Sequence, residues 1–252
     1  YRPSVMYVQY RNVSRIDTAL YRVPTEDVIA LNARDSWDLW SKYAPDRSDL
    51  LWSRTRKATA KLDVTGVFSV PLGADGDAFL PAGFYWFEAS APEATINDHR
   101  LLVVSPWNTL LKTSQDELLT WVTDLKSGQP LSGVELDVYD ANGRKVETVR
   151  TDAQGLASAP MPDQEAWEPV ALVARKGDAL GLALKDWTMG ISPWEFGLSM
   201  SYGQSPYRAH LYTERMIYRP SQSVHFKGFL REDHDGRYAL PPAGVLEMVA
   251  YD

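Results

Sequence analysis

Four histidines, a few acidic turns and a scatter of tryptophans are the residues of this chain whose types could do chemistry. A histidine held against a nucleophile and a carboxylate can move protons. Here His225 takes an outward position in an alternating stretch, His234 lies in the charged turn Glu232-Asp233-His234-Asp235-Gly236, and His99 and His210 fall at expected domain edges. With no Ser or Cys nucleophile motif near any of them, each reads as an ordinary surface or packing position. Asp233-His234-Asp235-Gly236 and Asp75-Gly76-Asp77 have the composition of calcium loops. With Gly236 in sixth place, however, Arg231 is first and Pro242 twelfth, where carboxylates are required, and with Gly143 in sixth place Val138 is first. These segments are expected to be solvated turns.

Phosphate-loop, zinc-protease and nucleophile-elbow motifs do not occur, and carboxylate pairs are confined to turn and strand-edge positions. The absence of Cys removes disulfides, thiolate metal sites, a Cys nucleophile and an internal thioester from these residues. No catalytic residue, metal ligand or cofactor is expected. Trp37, Trp40, Trp52, Trp86, Trp187 and Trp194 could form an aromatic platform for glycans, as in a carbohydrate-binding or adhesin-type module array. Packing competes for the same residues, because Phe84-Tyr85-Trp86-Phe87 is too apolar to stand in water on both faces.

The elements that hold these residues read as strands. Met6, Val8 and Tyr10 alternate with Tyr7, Gln9 and Arg11, and Val134, Leu136 and Val138 alternate with Glu135, Asp137 and Tyr139. Val224, Phe226, Gly228 and Leu230 stand opposite His225, Lys227 and Arg231. Each such segment is expected to bury one face and wet the other. Asp140-Ala141-Asn142-Gly143, Thr151-Asp152-Ala153-Gln154-Gly155 and Arg175-Lys176-Gly177-Asp178 supply Asn or Gly where tight turns need positive φ. Short strands joined by tight turns favour antiparallel sandwiches over crossover helices. One helical excursion is expected at Pro24-Thr25-Glu26-Asp27, an N-cap with first-turn acids followed by Val28 and Leu31, with Trp37, Trp40 and Tyr43 continuing an apolar stripe over a sheet.

The length of 252 residues suggests two or three cores. Hydrophobic residues at 44% and aromatics at 12% argue against disorder. Lys plus Arg total 26 against 33 Asp plus Glu, with the basic residues scattered singly, so nucleic acid is not an expected partner. No run of about 18 apolar residues exists, and Tyr1-Arg2-Pro3-Ser4 lacks the regions of a signal peptide; a soluble chain without a targeting segment is expected.

A strand-turn-strand order repeats. Leu119 to Asp124 leads through Gly128, Pro130 and Gly133 to Tyr139-Asp140, and Val224 to Arg231 leads through Gly236, Pro242 and Gly244 to Tyr251-Asp252. A weaker copy runs from Met6 to Tyr21. Boundaries are expected near Ser105-Pro106 and His210, with Asp186 to Tyr207 a long loop or strap. The expected division is 1–106, 107–210, and 211–252 as the incomplete start of a further domain.

Tyr212-Thr213-Glu214-Arg215-Met216-Ile217-Tyr218-Arg219-Pro220-Ser221-Gln222-Ser223-Val224 resembles the entry strand of a macroglobulin domain in the alpha-2-macroglobulin family. The family pattern matches at Thr213, Arg215, Arg219, Pro220, Gln222 and Val224 and departs at Glu214, Met216 and Ser221. Gly usually follows that Pro at the positive-φ position of a type II turn, so Ser221 predicts a type I turn instead. Asp116 to Asp124 with Gly128-Gln129-Pro130, and Tyr10 to Ser14 with Pro81 to Tyr85, resemble the preceding domains of bacterial members.

The resemblance implies an all-β fold of tandem macroglobulin sandwiches, fibronectin-III or immunoglobulin-like, with a short helical insertion in the first and modest interfaces end to end. It implies a scaffold role without chemistry in an exported, periplasmic or cell-surface endopeptidase inhibitor, a protease trap whose bait is cut. Implied partners are the remaining domains of the parent polypeptide, target proteases reached through it and a peptidoglycan synthase.

Overall fold

The computed structural model describes residues 4–73, 79–94, 98–114, 116–165, 167–185, 207–219, 221–234 and 237–245. Along the chain come β1 (Val5–Tyr10), β2 (Arg15–Val23), α1 (Thr25–Leu31), α2 (Trp37–Lys42), β3 (Leu50–Lys57), β4 (Gly66–Pro71), β5 (Gly83–Ser90) and β6 (Asp98–Val104). β1 and β4 pair as a two-stranded antiparallel sheet over one face of a four-stranded sheet ordered β3-β2-β5-β6. The alternation of β1 turns Met6 and Val8 onto Leu20, Tyr85 and Phe87 and leaves Tyr7 exposed, as expected.

A second sandwich follows: β7 (Trp107–Thr113), β8 (Glu117–Asp124), β9 (Glu135–Tyr139), β10 (Lys145–Arg150), β11 (Leu156–Pro160), β12 (Ala171–Lys176) and β13 (Ala179–Leu184). Sheets β11-β8-β7 and β10-β9-β12-β13 enclose Leu118, Val122, Leu136, Val138 and Leu172. The three turn glycines 143, 155 and 177 have positive φ, as their turns require. At Gly155 a Cβ would also stand 2.5 Å from the Val122 carbonyl oxygen, so the close approach of β8 to this turn demands glycine. All-β sandwiches are thus the fold.

The expectation of modest interfaces end to end is overturned. The two inner sheets, β3-β2-β5-β6 and β10-β9-β12-β13, are each covered on both faces, and a third core lies between them. Along β5, Tyr85 and Phe87 face β1 and β4, while Phe84 and Trp86 face α1 and the second sandwich. Four consecutive buried aromatics therefore need two partners. For the same reason β9 departs from the expectation of one wet face: Asp137 is 7% exposed, on the side opposite Leu136 and Val138.

α1 and α2 fill the space between the sandwiches. α1 starts at Thr25 after Pro24, with Glu26 and Asp27 in its first turn and no side-chain cap, and buries Val28, Ile29 and Leu31. Trp40 and Tyr43 pack on Trp86 with ring centroids 5.8 and 4.8 Å away. Trp37 does not join the stripe; it is 86% exposed. Positions six apart on a helix point about 120° away from each other, so Trp37 and Tyr43 cannot both face one sheet.

The third sheet, ordered β14-β15-β16, comprises β14 (Tyr207–Thr213), β15 (Phe226–His234) and β16 (Arg237–Ala239). Its expected buried face is largely exposed: Val224 and Phe226 stand in solvent, Leu230 is only half-buried, and Leu211 opposite Gly228 is exposed too, because no second layer among the described residues packs on it. β14 opens at Tyr207, so His210 sits inside a paired strand opposite Phe229, and the expected edge at 210 falls within β14. The expected type I turn is also overturned. Ser221 has φ 67, and Gln222 N donates to the Arg219 carbonyl at 3.2 Å, so serine occupies the positive-φ position. The expected strap (residues 186–206) and the terminal Tyr251-Asp252 lie outside the described residues.

Candidate functional interface

Among the described residues, three of the four buried carboxylates, Asp137, Asp140 and Glu168, lie in the second sandwich near its junction with the first. On the β10-β9-β12-β13 sheet, Ala171 and Val173 of β12 and Leu182 of β13 meet Val23, Val28, Phe84 and Trp86. Arg175 shares the face of Ala171 and Val173 by strand alternation and lies at the rim of this apolar patch. Its Nη1 donates to Asp137 Oδ2 at 2.7 Å, and its Nη2 donates to Thr25 Oγ1 on α1 at 3.2 Å. Asp137 is further held by Thr148 Oγ1 at 2.8 Å and Lys145 Nζ at 3.4 Å. A buried carboxylate so surrounded has hydrogen-bond and charge partners on both oxygens and avoids the penalty of an unpaired buried group.

A second tie lies at the far end of α1. Arg34 N donates to the Ala141 carbonyl at 2.6 Å, and the Arg34 guanidinium pairs with Glu168, a residue only 2% exposed in the loop before β12. Glu168 Oε2 also accepts from Glu165 N at 3.2 Å. The turn receiving Arg34 is itself fixed by Asp140, whose carboxylate accepts from the Asn142 and Arg144 amides, each at 2.9 Å, and from the Arg144 guanidinium. Burial opposes its ionisation, yet the Arg144 amide and guanidinium with the Asn142 amide outweigh that, and its pKa lies below the usual carboxylate value. Within the helical layer, Tyr43 OH donates to Asp27 Oδ2 at 2.7 Å and Trp40 Nε1 donates to the Leu31 carbonyl at 2.7 Å. Burial, then the Asp27 contact, pushes the Tyr43 phenol well above its usual pKa.

Asp137, Arg175, Arg34 and Glu168 have no local signature. Their signal is tertiary, since Asp137 and Glu168 become buried, with the guanidinium groups of Arg175 and Arg34 paired to them from the rim, only once the chain is folded.

The histidines do not converge. His99 stacks on Trp86, with centroids 4.6 Å apart; His210 is exposed on β14; His225 is exposed and its carbonyl accepts from Glu214 N at 3.1 Å. His234 closes β15, paired with Arg237. Asp233 corrects the expectation of a solvated turn, being buried and accepting from Arg208 Nε at 2.7 Å; residues 74–78, 235 and 236 lie outside the described residues. Among the described residues no group of three His, Asp or Glu is placed to hold a metal ion. Of the tryptophans considered for a glycan platform, Trp86 is fully buried, Trp40 and Trp52 are half-buried against core rings, and Trp37 alone of the described ones stands exposed. Trp187 and Trp194 lie outside the described residues. No helix among the described residues is long and apolar enough to cross a membrane.

Residues 109–202 match the family model described as the bacterial alpha-2-macroglobulin MG3 domain. The alpha-2-macroglobulin of Pasteurella multocida (strain Pm70) is 25% identical over 151 residues, 57% of this chain and 8% of that protein. The alpha-2-macroglobulin of Rickettsia conorii (strain ATCC VR-613 / Malish 7) is 26% identical over 148 residues, 56% of this chain and again 8% of the relative. In fold, the chain resembles Salmonella alpha-2-macroglobulin reacted with methylamine, with a TM-score of 0.63 and 20% identity over 90% of this chain and 14% of that one. It also resembles a native Escherichia coli alpha-2-macroglobulin fragment spanning domains NIE-MG1, with a TM-score of 0.57 and 20% identity over 72% of this chain and 96% of that fragment. The matched part thus spans under a tenth of the curated relatives' length.

Proposed function

Because the chain belongs to the bacterial alpha-2-macroglobulin family, we propose that it supplies scaffold domains of an exported endopeptidase inhibitor that encloses its target protease, and carries no catalysis of its own. Its partners are then the other domains of the parent polypeptide and, through them, the protease; a peptidoglycan synthase is a further partner that kinship with bacterial members permits. We propose modules at 1–106, 107–210 and 211–252, the last being the start of a further domain.

The observation that carries the mechanical reading is the shared core. Phe84 and Trp86 of one sandwich and Val173 and Leu182 of the next are buried together, with the charged ties of Arg175 and Arg34 at its rim. Two modules joined through a buried apolar layer resist bending about their connection, whereas modules touching through small polar contacts swing. Such a block fixes spacing within a larger assembly and passes displacement from one end to the other.

The test uses the whole parent protein and a protease. The trap reading expects bound protease to keep cleaving a small chromogenic peptide while a protein substrate is shielded, and expects Leu182→Arg at the shared core to weaken that shielding. A parent protein that protease degrades without shielding sinks the reading. Saturable binding of a glycan, seen as a change in Trp fluorescence, would favour a carbohydrate-binding array instead.

A further inference from the structure

We infer that the first sandwich accepts an extended peptide strand from another polypeptide along the free edge of β1. The inference stands apart from the trap reading and rests on a mismatch of layers: two strands, β1 and β4, cover one face of a sheet of four. Beside β1 the missing coverage leaves a slot of about 410 Å³, floored by Ile16, Phe87 and Ala89, flanked by Met6 and Val8 and rimmed by Arg100. That volume falls within the range of pockets that hold ligands.

The backbone specifies the occupant. Leu72 N donates to the Ser4 carbonyl at 3.0 Å, which makes Ser4 and Leu72 a hydrogen-bonded pair. In an antiparallel ladder such pairs alternate, so Met6, Val8 and Tyr10 direct their amides and carbonyls to β4, and Val5, Tyr7 and Gln9 direct theirs away from it. Pro71, which has no N–H, stands opposite Val5, where none is needed. No backbone partner on the outer side of β1 is present among the described residues. A row of amides and carbonyls at strand spacing is complementary to another extended backbone, and to little else. The floor is apolar, and the rim guanidinium of Arg100 is neutralised by Asp98 Oδ1 at 2.5 Å. The slot therefore suits an uncharged strand with apolar residues at alternate positions, not an acidic or basic peptide.

The probe is acetyl-(Thr-Val)3-amide carrying a dye, titrated by fluorescence anisotropy, with two versions N-methylated either at the Thr or at the Val positions. Strand addition expects saturable binding that one methylation pattern abolishes and the other spares, since only alternate amides face β1. Tyr7→Pro removes an outward N–H and none used by β4; it should weaken binding about tenfold or more, while Tyr7→Ala stays within about threefold. Ala89→Leu, filling the floor, should also abolish it. Near-UV circular dichroism verifies the variants' fold, and the methylated peptides give the answer on the unaltered chain. The proposal is overturned by absence of saturation at millimolar peptide, by equal binding of both methylated peptides, by a concentration-dependent dimer that consumes the edge, or by a longer form of the polypeptide whose own residues fill the slot.

Discussion

Arg175, on the second sandwich, donates a hydrogen bond across the junction to Thr25 Oγ1 at the first turn of α1, 3.2 Å away. The same guanidinium holds Asp137 at 2.7 Å, so one side chain serves both its own sheet and the neighbouring module.

Arg175→Met and Thr25→Val, taken singly and together in a double-mutant cycle of urea unfolding, should reveal a coupling of about 1 kcal/mol. Additive effects would show that the contact contributes nothing between modules.

Trp86 is completely buried and touches both Trp40 and His99. Its replacement by Ala should cost about 3–5 kcal/mol, the scale for deleting a large aromatic from a core. Calorimetry should show both sandwiches losing stability, since the cavity opens in the layer they share. A single affected transition would mean that the sandwiches melt independently of this layer.

Asp140 gives a dependence on pH. Its folded pKa lies below the ordinary aspartate value, so its contribution is present in full above that ordinary value and declines as pH falls through the lower folded one. Urea midpoints of the unaltered chain should therefore drop below about pH 4 more steeply than those of Asp140→Asn, which is already less stable at neutral pH. Parallel acid limbs would falsify the assignment.

Ser221 occupies a left-handed conformation that costs a non-glycine residue about 1–2 kcal/mol. Ser221→Gly relieves it, at the expense of added freedom in the unfolded chain, for a net gain of about 0.5 kcal/mol. Slower amide exchange at Gln222 and in the paired strands β14 and β15 is the expected signature; faster exchange contradicts it.

Much of the fold was legible because alternation and turn chemistry are local. Met6 and Val8 point inward as their spacing demands, and Gly143, Gly155 and Gly177 mark the turns. The junction was not legible, since nothing near Asp137 in the chain distinguishes a carboxylate on a wet face from one covered by a second module. Trp37 misled for a different reason: its three-residue spacing from Trp40 holds over one step of a helix but drifts around the axis over two. At Ser221 residue preference yielded to the turn, whose Arg219 and Gln222 partners hold its geometry. The exposed third sheet shows the converse, for an alternating strand buries a face only where another layer is present to receive it.

The double coverage of β5 also bears on how the polypeptide is made. Phe84 and Trp86 emerge from the ribosome well before Val173 and Leu182, the residues that shelter them. For that interval a nascent chain with only its first sandwich assembled would present an oily face to the cell, and any premature stop before β13 would leave that face uncovered for good.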